Sequence, residues 1–482
     1  MIDVRPVLFV NGYLLLILAA SMGIPAIVGG GAETGDSRVF VAAAVLIGFI
    51  GGVLLLGSRR DGKGRLDTRQ AFLLTASAWA LAALGASLPF SFSSLGLSFT
   101  DAVFEAMSGL TTTGATVIVG LDAAPKGILM WRALLQWLGG AGIIVMAVAI
   151  LPLLRIGGMQ LFKLESSDVG ERIRPRVSQV AGSVALVYLA LSVLSAAAFW
   201  LAGMSAFDAV CHAMAALSTG GFSTSDSSLG HWGGGVQWVA VASMVAGGAP
   251  LPLFTRPWRR GRTPLLEDSQ LNAYLRLLGG LALLVGIWRW ATSDWGLGES
   301  LRHAAFAVVS MSTTTGFVAT DWSKWGGFAH VLFFLLVFVG GCTGSPAGAI
   351  KIFRWQALFA LAEVQVERLL HPHGVFVIEV ERRRLTASVT NSVLAFGVLY
   401  IVTFAVHALA LAATGLDLVT ALSSSAAALG NAGRGLGDVV GPTGSFRPLP
   451  DAAKWILIFE MLVGRLELFT VFVLFTPDFW RD

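Results

Sequence analysis

Four short clusters of small, hydroxyl and glycine residues carry the chemistry this sequence offers. They read Thr111-Thr112-Thr113-Gly114-Ala115, Ser218-Thr219-Gly220-Gly221-Phe222, Thr313-Thr314-Thr315-Gly316-Phe317 and Gly430-Asn431-Ala432-Gly433-Arg434. None holds a carboxylate, a histidine or a cysteine, so the useful atoms are main-chain carbonyl oxygens. Glycine reaches dihedrals closed to other residues and lets a chain present its carbonyls to one side. Rings of carbonyls drawn from four such loops can replace the water shell of a monovalent cation. Ca²⁺ and Mg²⁺ prefer carboxylate oxygens or retained water, which these clusters do not supply. The oxygens expected to line such a path belong to Thr112, Thr113 and Gly114, to Ser218, Thr219 and Gly220, to Thr314, Thr315 and Gly316, and to Asn431, Ala432 and Gly433. The closing glycines Gly114, Gly220, Gly316 and Gly433 lie roughly a hundred residues apart. That period is long enough for a helix, a re-entrant hairpin and a second helix.

The elements that must position these loops are helices in a bilayer. Of 482 residues, 55% are hydrophobic and only 13% charged, against roughly 25% charged in a soluble domain. After two N-terminal spans, at 7–28 and 39–57, the same order recurs four times. A span is followed by a short helix, a Thr/Gly cluster and a second span. The first spans cover 71–90, 178–203, 273–292 and 386–413. The short helices cover 100–110, 206–217, 299–311 and 416–429. The second spans cover 127–154, 235–254, 327 onward and 452–475. The short segments offer about a dozen residues where a crossing needs about 20, so they enter and leave on one side. Asp101, Asp208, Glu299 and Asp417 stand at or near their starts, where an acid complements the helix dipole and leaves the negative end aimed at the ion path. They also read as ordinary caps. The apolar run 7–20 could pass for a signal peptide, but the orientation count requires it to stay as the first helix.

Basic residues set that orientation. Arg59, Arg60, Lys63, Arg65 and Arg69, then Arg155, Lys163, Arg172, Arg174 and Arg176, then Arg256, Arg259, Arg260 and Arg262, then Arg368, Arg382, Arg383 and Arg384 all fall in alternate loops. By the positive-inside rule these loops and both termini are cytosolic, and all four clusters open outward. The net charge of +4 is a matter of topology, not of nucleic acid. Tryptophans flanking the spans, among them Trp131, Trp232, Trp325 and Trp455, read as interfacial anchors.

Two features interrupt spans. Gly340-Gly341-Cys342-Thr343-Gly344-Ser345-Pro346-Ala347-Gly348-Ala349-Ile350-Lys351 breaks the second span of the third repeat. Glycine, serine and proline there free polar backbone, which at membrane depth has to line a cavity; a plain kink is the bland alternative. Arg465 stands near the middle of the last span. A central arginine costs about 2.5–3.5 kcal/mol on insertion scales, so it is either functional or paired with Glu460 or Glu467.

On these clusters, the interrupted span and the buried arginine, the chain resembles the ion-conducting subunit of the Trk/Ktr/HKT superfamily of potassium transporters. The two extra N-terminal helices bring it closest to the Trk branch. The resemblance implies an all-α polytopic membrane protein with one pseudo-fourfold pore. It divides the chain into a two-helix extension at 1–65 and pore repeats at 66–165, 166–262, 263–378 and 379–482. It implies potassium uptake across the bacterial inner membrane, with K⁺ as the transported ligand held at the filter residues above and no covalent cofactor. It implies a homodimer and a cytosolic, ring-forming, nucleotide-binding regulatory partner, for which the basic loops and the charged stretch 363–384 offer a surface. It makes 340–351 an intramembrane gate, through Gly341, Thr343, Gly344, Ser345, Gly348 and Lys351, with Arg465 in the pore under the filter. Uptake coupled to H⁺ or Na⁺ symport is the alternative to passive gated conduction.

The chain departs from that pattern at Arg434, where the family carries proline, and at Pro346 and Ala349 in the gate loop. Other classes fit poorly. HExxH and GxSxG are absent and the seven histidines do not pair with the clusters, so the chain is not expected to be an enzyme. Cys211 and Cys342 both lie in apolar or glycine-rich stretches. Organic-solute transporters usually show inverted repeats, whereas these four repeats share one orientation.

Overall fold

A computed structural model describes residues 2–30, 35–59, 66–149, 177–255, 267–380 and 383–481. The basic clusters at 155–176 and 256–262, with Arg60, Lys63, Arg65 and Arg382, lie outside the described residues. The boundaries drawn at 65/66, 165/166 and 262/263 fall within or at the edge of those stretches.

Two helices, α1 (Arg5–Gly29) and α2 (Asp36–Gly57), form the extension. They cross where Gly12 meets Gly51. A Cβ on either would sit 2.8–2.9 Å from the other's carbonyl oxygen, the close backbone approach that small residues allow in a bilayer. The first repeat is α3 (Thr68–Phe92), the short α4 (Phe99–Leu110) and α5 (Lys126–Ala149). The second is α6 (Val177–Leu201), α7 (Ala206–Leu217) and α8 (Gly234–Gly248). The third is α9 (Ser269–Thr292), α10 (Leu297–Ser312), α11 (Gly327–Leu336) and α12 (Ile352–Leu370). The fourth is α13 (Ala387–Ala413), α14 (Leu418–Leu429) and α15 (Asp451–Arg465). A two-residue hairpin pairs Glu379 with Arg384 between α12 and α13. The described residues make an almost wholly helical, multi-pass membrane protein.

Among the described residues, seven helices are long and apolar enough to cross a membrane. The second spans of repeats two, three and four are not among them; a break in repeat three is expected from 340–351, while the expectation of continuous spans at 235–254 and 452–475 is corrected. The helix α8 stops at Gly248, just before Ala249-Pro250, because proline disfavours helical geometry in the residue before it. The helix α11 stops at Leu336 and α15 at Arg465. After Arg465 the chain turns through Glu467 and Leu468, both with positive φ.

The short helices α4, α7, α10 and α14 are buried over their C-terminal halves, and α4 almost throughout. Glycines let their C-termini seat deeply. A side chain on Gly139, Gly247 or Gly464 would run into the last carbonyl of α4, α7 or α14, at Leu110, Leu217 or Leu429. Not all tryptophans are interfacial. Trp131 is buried and donates to Ala86 O at 3.1 Å, and Trp325 is also buried, so both pack inside the protein.

Candidate functional site: a ring of main-chain carbonyls with a loop beneath

Three of the four short helices start on a side-chain cap, and α10 starts at Gly296 without one. Ser98, Ser205 and Asp417 accept main-chain N–H bonds from Asp101, Asp208 and Thr420, satisfying donors that helix starts leave free. The acids noted in the sequence also bind elsewhere. Asp101 pairs with Lys454 at 2.6 Å, and Asp208 accepts from Thr224 Oγ1 at 2.7 Å. Asp417 is exposed, and hydrogen bonds from Thr420 hold its carboxyl below the usual carboxylate range.

At the other end, four loops repeat one conformation. After the helix cap comes a left-handed residue: Thr112 (φ 53°), Thr219 (54°), Thr314 (58°) and Asn431 (50°). The next residue donates its N–H back to the helix, Thr113 to Ser108 O, Gly220 to Ala215 O, Thr315 to Ser310 O and Ala432 to Ala427 O, all at 2.8–2.9 Å. Then comes a left-handed glycine: Gly114 (82°), Gly221 (75°), Gly316 (77°) and Gly433 (69°). The second repeat therefore stands one residue off its expected register. Gly221, not Gly220, matches Gly114, and Thr219, Gly220 and Gly221 match Thr112, Thr113 and Gly114. The reason is local. The helix ends at Leu217 with Ser218 as its cap, as Leu110 and Thr111 do in the first repeat.

The four loops close a ring. A Cβ on Gly114 would overlap Gly220 O, one on Gly221 would overlap Thr315 O, one on Gly316 would overlap Ala432 O, and one on Gly433 would overlap Thr113 O. Each glycine thus abuts the carbonyl that precedes the next glycine, in the order one, two, three, four and back to one. Only glycine both adopts this φ and leaves that space.

Residues not singled out in the sequence brace the ring. Glu105, fully buried, accepts from Thr116 Oγ1, Val117 N–H and Arg132 Nε, the last at 2.8 Å. Arg132 also donates to Ser223 O at 2.7 Å, linking loops one and two. Gln136 clamps the second loop, donating to Gly220 O at 2.6 Å and accepting from Phe222 N–H at 3.0 Å. A second carboxylate, midway along the short helix and flanked by Phe104, Ala106 and Met107, was the available signal for Glu105. His212 packs rather than reacts, its ring nitrogens bonded to Asp208 O and Ser223 Oγ.

The loop 340–351 passes directly under this ring. Gly348 N–H donates to Thr314 Oγ1 at 2.9 Å, and a Cβ on Gly348 would meet Gly430 O. The loop satisfies its own backbone, as unpaired groups at this depth must. Cys342 N–H reaches Gly248 O at 2.8 Å, Gly340 N–H reaches Ile350 O at 2.9 Å, and Ile352 N–H reaches Gly341 O at 3.1 Å. Thr343 N–H donates to Gln270 Oε1, Leu251 N–H to Gly344 O, and Lys351 Nζ to Ser345 O at 3.4 Å. Arg465 is buried, and it pairs with neither Glu460 nor Glu467. It donates to Pro346 O in the loop and to Gly139 O at 3.2 Å. Glu467 pairs instead with Arg354, and Glu460 accepts from Ser425. Beyond the loop lies a cavity flanked by Gly348, Lys351, Arg354, Arg465 and Glu467.

Four short helices that bring four loops to one ring of carbonyls inside a multi-pass membrane protein define a membrane transport protein. The TrkH family model, described as a cation transport protein, matches residues 36–284 and 291–481, and the chain belongs to that family. It is 43% identical over 479 residues to the Trk system potassium uptake protein TrkI of Halomonas elongata, covering 99% of this chain and 97% of that one. It is 38% identical to the Trk system potassium uptake protein TrkH of Escherichia coli K12, covering 99% of each. The crystal structure of the potassium transporter TrkH from Vibrio parahaemolyticus superposes with a TM-score of 0.91 at 36% identity, over the whole of both chains.

Proposed function

We propose that this protein carries K⁺ into the cell through the four-loop ring, with main-chain carbonyls standing in for the ion's hydration shell. The observation that carries this reading is the cyclic contact from Gly114 through Gly221, Gly316 and Gly433 back to Thr113. It brings oxygens from four distant segments around one axis. Full-length relatives named as potassium uptake proteins support the choice of ion. The short-helix N-termini face outward, the chain sits in the inner membrane with cytosolic termini, and 340–351 is the gate, held by Arg465. The protein works as a homodimer with a ring-forming cytosolic nucleotide-binding partner.

Flux of Rb⁺ and K⁺ into liposomes carrying the purified protein, with reversal potentials in mixed K⁺/Na⁺, tests this. A K⁺-selective current is expected. Equal permeability to Na⁺ would sink the carbonyl-filter reading. A reversal potential that moves with the proton gradient would favour symport over passive conduction.

A further inference from the structure

The residue after the ring glycine is Ala115, Phe222 and Phe317 in the first three loops and Arg434 in the fourth. Arg434 is 9% exposed and lines the same outer cavity as Gly114 and Gly221. Its Nε donates to Gly316 O at 3.2 Å, and its Nη1 donates to Gly444 O at 3.2 Å. Its own N–H bonds Ala432 O at 2.9 Å. Gly316 O belongs to the level just outside the Thr113, Gly220, Thr315 and Ala432 carbonyls. Among the described residues, no hydrogen bond is made to the corresponding oxygens of Gly114, Gly221 and Gly433. One of the four oxygens at this level is therefore spoken for by a cation that belongs to the protein.

A guanidinium stays charged at any physiological pH. It lies where an incoming ion sheds its first waters, and it competes for the ion's own ligand. We propose that Arg434 is a tethered cation that sets K⁺ affinity at the outermost position of the filter, by occupying Gly316 O and by repelling the entering ion. This rests on the carbonyl-ring reading of the site. The deeper ring is not contacted by the guanidinium, so K⁺/Na⁺ discrimination is set elsewhere. The protein is thereby tuned to admit K⁺ at higher external concentration.

The test is K⁺ and Rb⁺ uptake by the full-length protein carrying Arg434→Gln or Arg434→Met, in cells lacking other K⁺ uptake and in proteoliposomes. Both variants are expected to lower KM roughly tenfold, as suits a unit charge at short range in a wet vestibule. The maximal rate and the K⁺/Na⁺ ratio should stay near the parent's, and raising external ionic strength should shrink the difference in KM. An unchanged KM in a folded variant overturns the proposal. So does failure of both variants to give monodisperse protein, which would make Arg434 a structural tie. Gly316→Ser is run beside them. If it leaves selectivity intact, the filter reading fails, whatever the Arg434 variants do.

Discussion

Removing Arg465 separates two ways in which one side chain could restrain flux. Its guanidinium bridges Pro346 O in the loop 340–351 and Gly139 O in α5, so it ties the loop to that helix. Hydrogen bonds to a charged group are worth about 1.5–3 kcal/mol each. Losing the bond to Pro346 alone should favour loop displacement by roughly tenfold or more. The charge adds a second restraint: at an effective dielectric of about 20, an ion about 8 Å away is repelled by roughly 2 kcal/mol. Water in the cavity screens part of that. Arg465→Ala removes both restraints and should raise Rb⁺ flux into proteoliposomes by more than about tenfold, with the K⁺/Na⁺ ratio little changed. Arg465→Lys keeps the charge, but one ammonium lacks the planar fork that spans two carbonyls. It should fall between parent and alanine. A lysine variant equal to the parent would show that charge alone matters and that the tie to Pro346 does not. An alanine variant that folds yet conducts no faster would refute both arguments.

Three further perturbations follow from the same geometry. Gly221→Ala should abolish K⁺ binding measured by calorimetry, because the new Cβ meets the main-chain carbonyl of Thr315 at a left-handed φ, whereas Gly220→Ala meets only the Gln136 side chain and should be milder; the reverse order would restore the original register. Glu105→Gln strands the buried Arg132 and should cost about 3–5 kcal/mol, seen as a clear drop in the melting temperature of detergent-solubilised protein. A double change to Glu105→Leu and Arg132→Met should recover much of that loss, and no recovery would argue against the pairing. Deleting 343–348 should raise basal conductance in planar bilayers, and a folded deletion with parental current would reduce the loop to a kink.

Much of this architecture was legible in the chain. Short apolar segments followed by Thr/Gly clusters mark re-entrant hairpins because their length forbids a crossing, and all four appear as α4, α7, α10 and α14. The second loop was misread by one residue because Gly220-Gly221 offers two glycines and composition does not choose between them. The helix end does: Asp101 to Gly114 and Asp208 to Gly221 are the same distance along the chain. The breaks after Gly248 and Arg465 were hidden for a different reason. Hydropathy runs on through 235–254 and 452–475 and masks both ends, although Pro250 marks the first; at the second, Glu467, just past the helix end, pairs with Arg354, a partner 113 residues away that only the fold supplies. The Glu105–Arg132 bridge escaped notice because its partners are 27 residues apart and meet only through the fold.

Because the ring is assembled from four unlike segments of one polypeptide, a substitution enters it once per ring. In a pore built from four identical chains, any change is copied fourfold, and a mildly harmful one becomes severe. Here Glu105 and Arg132 brace one quadrant, Gln136 clamps a second, and Arg434 charges a third. The opening can therefore be adjusted in quarter steps. The ring is lopsided, and selection can work on each side of it separately.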